Sequence, residues 1–203
     1  MMISKQIEQK ITTFPKGSLI FISDISKEFD YEIARKVLQR LTKKSILIRL
    51  SSGIYYYPKH DETFGIIIPT AEQIAKGIAK RDLARIIPTG SYALYKLGLS
   101  TQVPMNVVYL TDGSARKVVV GHQKISFKKT SPKNLAITHP LSNLIIQSIK
   151  ELEKKMITDE LIQKIKTIII KSGEQDKIRE SLNYAPVYIR NVVLMILNQI
   201  NND

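Results

Sequence analysis

The chain has 203 residues, no cysteine, and 31 Lys and Arg against 18 Asp and Glu, for a formal charge of +13. That length allows one or two domains with a real core, and a hydrophobic share of 43% argues against disorder. Without cysteine there can be no disulfide framework, thiolate zinc site or cysteine nucleophile, which suits a reducing cytosol. The N-terminal "MMISKQIEQKITTFPKG" carries charge throughout and has no apolar signal core, and no apolar run reaches the length of a membrane span. A cytoplasmic protein with no membrane partner is expected.

Ile3, Ile7 and Ile11 recur every four residues and predict a short amphipathic helix, ended by Pro15 and Gly17. "LIFI" (19–22) reads as a short strand, with Ser23 as the cap of one or two helical turns. Asp30 opens the next helix, over 31–44, with Ala34, Val37, Leu38 and Leu41 on its apolar face. The period then changes from 3.6 to 2. "ILIRL" (46–50) and "GIYYYP" (53–58) bracket Ser51-Ser52-Gly53, which is hairpin chemistry. Helix, strand, helix, helix, strand, strand is the order of a winged helix-turn-helix. Alternation puts Ile54 and Tyr56 on one face of the last strand and Tyr55 and Tyr57 on the other, without saying which face is inside.

Residues 61–69 read as a linker. A helix follows over 70–80 with Thr70 as its cap, where Glu72 stands too close for a capping box. Strands are expected at 86–88, at "NVVYLT", and on both sides of Gly121-His122, with a helix from Ser91 to Leu97. Three helices close the chain, over 140–154, 158–171 and 174–199, the last broken near Tyr184–Pro186. The expected class is therefore α+β. A winged helix-turn-helix (1–60) and a linker (61–69) precede a mixed domain (70–203) whose helical tail spans 140–200.

The positive charge is uneven. Residues 1–60 carry 11 basic and 5 acidic groups, residues 61–134 carry 11 and 5, and residues 135–203 carry 9 and 8. Clustered Lys and Arg release counterions on meeting phosphates, so a double-stranded DNA partner is expected for the first part. Arg35, Lys36 and Gln39 on the polar face of the third helix are candidates for base edges, since Arg pairs with guanine and Gln with adenine. Arg40, Lys43, Lys44, the turn residues Ser51 and Ser52, and Lys59 are candidates for phosphate contact. A second basic segment holds Arg116, Lys117, Lys124, Lys128 and Lys129. It reads either as a solvated sheet edge or as a surface for an acidic or anionic partner.

Catalytic patterns are missing. Gly90-Ser91 before a helix resembles the start of a nucleotidyltransferase site, but no carboxylate pair follows to hold Mg²⁺, only Asp112 at a turn. His60, His122 and His139 have no metal-ligand spacing, and there is no phosphate-binding glycine loop. No enzyme activity, cofactor or metal is expected.

The segments "SSGIYYYPK", "IIPTGSYALYKLGLSTQVP", "VVYLTDGSARKV" and "ISFKK" resemble the AbiEi family of type IV toxin–antitoxin antitoxins, in its short DNA-binding branch. The resemblance covers roughly residues 1–150, and "TGSYALYKLGLSTQVP" is its most specific part. It implies a winged helix that represses its own promoter, through inverted repeats, and a second domain that supplies antitoxicity in phage-abortive systems. The implied functional partner is a nucleotidyltransferase toxin encoded next door, without implying a stable contact. A stand-alone regulator whose second domain senses a ligand or forms an oligomer is the alternative. An adjacent nucleotidyltransferase gene would discriminate the two.

Overall fold

The computed structural model describes residues 3–152 and 157–201. It is an α+β protein. The chain divides into two compact units, Met1–Ile78 with Val118–Gln123, and Ala79–Lys117 with Lys124–Asp203.

In the first unit, α1 (Ile3–Thr12) precedes β1 (Leu19–Phe21), α2 (Ile22–Ile25), α3 (Tyr31–Lys43), β2 (Ile48–Ser51) and β3 (Ile54–Tyr56). This is the predicted order. The Asp30 carboxylate caps α3 by accepting from the Ile33 N–H at 3.0 Å. α3 stops where Ser45 takes φ +58, a left-handed conformation usual for glycine, and the Ile46 N–H turns back to the Leu41 carbonyl at 3.0 Å. That reversal launches β2 and explains the change of period there. Ser23 does not cap: α2 already starts at Ile22, whose N–H is taken by the Gly53 carbonyl at 3.0 Å.

The three strands form an antiparallel sheet in the order β1-β3-β2. β3 is therefore central, and Ile54, Tyr55 and Tyr56 are all buried, with Tyr57 half-buried. Ile20 pairs with Tyr55, and that face packs into the core of α1, α2 and α3 with Ile7, Ile11, Ile25, Leu38 and Leu41. On the opposite face Leu19, paired with Tyr56, meets Gly77. Neither tyrosine face is a free surface. A strand covered on both sides reads as a continuous apolar run.

The expected linker is a second hairpin, β4 (Lys59–Asp61) and β5 (Gly65–Ile67). Its turn is built by Asp61, whose carboxylate accepts from the N–H groups of Thr63 (2.9 Å) and Phe64 (3.0 Å), and by Gly65 at φ +70. The Phe64 and Thr63 N–H groups hold the Asp61 carboxyl below its ordinary range.

α4 (Ala71–Arg81) follows, with Ile74, Ala75 and Ile78 buried. It is closed by a capping box that the sequence reading missed. Thr70 Oγ1 accepts from the Gln73 N–H at 3.2 Å, and Gln73 Oε1 accepts from the Thr70 N–H at 2.8 Å. A side chain at Gly77 would press directly into the Leu19 methyl. Gly77→Val is therefore expected to destabilise the protein by about 1–3 kcal/mol, the usual cost of overpacking, read as a lower midpoint in urea. An unchanged midpoint would show that α4 does not pack on β1.

The second unit holds β6 (Ile86–Thr89), α5 (Ser91–Leu97), β7 (Asn106–Thr111) and all but the first residue of β9 (Gln123–Lys129), while β8 (Arg116–Val120) starts in it and from Val118 onward belongs to the first unit. Strands β6, β7 and β9 are neighbours in that order, with β7 and β9 parallel. Helices α6 (Pro140–Glu151), α7 (Asp159–Ser172), α8 (Gln175–Ser181) and α9 (Val187–Asn201) supply an aliphatic core that includes Ile145, Ile149, Ile165, Ile169, Ile189 and Val193. The predicted break falls at the 3-10 turn Leu182–Tyr184. The predicted end of the first of these helices, at Lys154, lies outside the described residues.

Candidate nucleic-acid interface

α3 buries Ala34, Val37, Leu38 and Leu41, so its other side must face outward. Arg35, Lys36, Gln39, Arg40 and Lys43 lie there, all exposed, with Lys44 exposed at the helix end. Two of the arginines are already paired. Arg35 makes two bonds to Glu32 Oε2, at 3.1 and 2.8 Å, and that carboxylate raises the guanidinium pKa. Arg40 Nη2 is 2.5 Å from Glu8 Oε1 on α1. Both pairs are exposed, and exposed pairs contribute little. Lys36, Lys43 and Lys44 have no ion pair among the described residues.

One cation escaped the sequence reading. Arg49 on β2 is exposed, unpaired among the described residues, and opposite Tyr55 in the β2–β3 register. It closes a concavity of about 260 Å³ with Arg35, Gln39, Thr42, Lys43 and Tyr55. No acidic side chain lines it. α3 supplies one wall and the hairpin supplies the other. The signal in the sequence was a lone Arg between Ile48 and Leu50.

The remaining candidates separate. Ser52 is exposed in the turn and Ser51 is half-buried at the end of β2. Lys59 is exposed but belongs to β4, beside Gly17, at the far end of β3 from the Ser51–Ser52 turn. It is not part of the β2–β3 turn.

The second basic segment is not one face. Arg116 is half-buried, bonded to Asp82 and 5.9 Å above the Phe127 ring. Arg81 bonds the same Asp82 at 2.7 Å. Burial, then the Arg81 charge, lowers the Arg116 pKa. Lys117 is exposed on β8. Pairing of β7 with β9 puts Lys124 and Lys128 on one face of the sheet and Lys129 on the other.

Asp112 and His139 have structural partners. Asp112 accepts from the Arg85 N–H and Nε, each at 2.8 Å, and Arg85 holds its carboxyl below the usual range. His139 is half-buried, bonded to Ser142 Oγ at 2.7 Å and 3.2 Å from Glu174. Among the described residues no group of three or more His, Asp and Glu gathers as metal ligands would, and no helix is long and apolar enough to cross a membrane.

The chain is similar in fold to the crystal structure of the Rv2827c protein from Mycobacterium tuberculosis, with a TM-score of 0.54 at 10% identity, over 96% of this chain and 75% of that one. No curated protein matches it. A family model described as a family of unknown function, DUF6088, matches residues 6–178, and the chain belongs to that family.

Proposed function

We propose that the chain is a DNA-binding transcriptional regulator, read through a winged helix formed by α1 to β3. The observation that carries this reading is the acid-free concavity between α3 and the β2–β3 hairpin, in which Arg35, Gln39, Lys43 and Arg49 converge. A helix flanked by a hairpin suits a major groove with its adjoining backbone. The Arg35–Glu32 pair is exposed and contributes little, so it can be exchanged for a base edge. The resemblance of residues 1–150 to AbiEi antitoxins supports a further step. In it the chain represses its own promoter in the cytoplasm and acts as the antitoxin of a type IV system against a nucleotidyltransferase toxin. The chain itself is not proposed as an enzyme.

The test is a titration of two variants against promoter and random duplexes at several salt concentrations. Arg35→Ala is expected to weaken promoter binding by roughly 10–100-fold and to relax sequence preference. Lys43→Ala is expected to weaken both duplexes alike and to flatten the salt slope by about one unit. Equal losses on both duplexes for Arg35→Ala would remove it from the base-reading set.

A further inference from the structure

A larger concavity, of about 590 Å³, lies within the second unit. Its floor follows from strand register. Thr89 opposes Val108, and Leu110 opposes Lys128, so these four side chains share one face of the sheet. Gln147, Lys150 and Glu151 of α6 form the opposite wall. Gln147 is only 4% exposed, and its Oε1 accepts from Thr89 Oγ1 at 2.8 Å, which fixes helix to sheet at this point. Gly90, at φ +67, leaves the space beside Glu151 open: even a Cβ there would stand 3.7 Å from the carboxylate oxygens. Pro104, Met105, Val108 and Leu110 supply an apolar side.

Lys128 and Lys150 come from different elements and line the same cavity. Both are exposed, and neither has an ion pair among the described residues. Glu151 is the one acid in the lining, so the cavity carries an excess of positive charge. A phosphate monoester carries about −1.5 to −2 at neutral pH and accepts several hydrogen bonds, which suits two ammonium groups with the Ser91 hydroxyl beside them. The volume falls in the range of roughly 300–1,000 Å³ typical of small-molecule sites and far exceeds what a phosphate alone would fill. The apolar side needs an organic body.

We propose that this cavity binds a small organic phosphate monoester, with Lys128 and Lys150 on the phosphate and the Met105–Leu110 side against the organic part. The proposal is independent of the DNA reading, because every lining residue belongs to the second unit. Two sources share the chemistry, a nucleoside monophosphate and a sugar phosphate. Calorimetric titration of the full chain with AMP, with glucose 6-phosphate and with inorganic phosphate separates them. One of the two organic phosphates is expected to saturate at one per chain, at least about tenfold tighter than inorganic phosphate. Lys128→Gln with Lys150→Gln should weaken it at least about tenfold, while Lys128→Arg with Lys150→Arg should retain it. Lys43→Ala with Arg49→Ala should leave it unchanged. The proposal is overturned if neither organic phosphate saturates, if inorganic phosphate binds equally well, or if binding follows Lys43 and Arg49 instead. Circular dichroism of each variant guards against loss by misfolding, and the single Gln variants replace the double if it does not fold.

Discussion

A chain carrying Lys36→Ala, Lys43→Ala, Lys44→Ala and Arg49→Ala should lose promoter affinity by about a thousandfold or more. A hydrogen bond from a charged group contributes about 1.5–3 kcal/mol, and about 1.4 kcal/mol is a factor of ten in binding. Even with strong non-additivity, four such losses exceed what a regulator tolerates. The salt slope should fall by roughly three to four units, one for each phosphate no longer neutralised. These four residues are chosen because the fold leaves them exposed and without an ion pair among the described residues, whereas Arg35 and Arg40 are held by Glu32 and Glu8. None belongs to the buried set of the first unit, so folding should survive. The control removes the same charge elsewhere, by Lys133→Ala, Lys164→Ala, Lys171→Ala and Lys177→Ala, all exposed in the second unit. Fluorescence anisotropy on a promoter fragment compares the two. If the control loses as much, binding follows net charge and not this surface, and the proposed reading face is wrong.

How far the site was legible depended on how local its causes are. The α3 cations followed from one helix's periodicity and from the Asp30 cap, both contained within fifteen residues or so of sequence. Arg49 did not, because its role depends on lying opposite Tyr55 and beside Gln39 and Lys43, a relation between a strand and a helix. The tyrosines misled for a similar reason. Alternation predicts one outward face only when one face of the sheet is open, and α4 contributes cover to the second face through Gly77 and Leu19. The hairpin at 59–67 was hidden in a short polar stretch whose structure depends on one carboxylate, Asp61, taking two backbone N–H groups. Lys128 and Lys150 share a cavity only because Thr89 and Gln147 join the sheet to α6.

The same packing decides how antitoxicity should be tested. A truncation beginning at residue 70 would strip α4 of Leu19 and expose Ile74, Ala75 and Ile78. Burying each large aliphatic side chain stabilises by roughly 1.5–3 kcal/mol, so failure of such a fragment would report misfolding. The full chain with Lys36, Lys43, Lys44 and Arg49 all replaced by alanine removes the DNA surface and keeps that core. Expressed beside a toxin made from an unrelated promoter, this variant should restore growth as fully as the unmodified chain, although it no longer binds the promoter. Repression of transcription cannot account for such rescue, so it would place antitoxicity in surfaces outside the face formed by α3 and the β2–β3 hairpin. Soluble, folded variant without rescue, where the unmodified chain does rescue, would tie protection to nucleic-acid binding. Absence of rescue by both chains would remove the antitoxin role and leave a stand-alone regulator, with the Lys128–Lys150 cavity as its candidate ligand sensor.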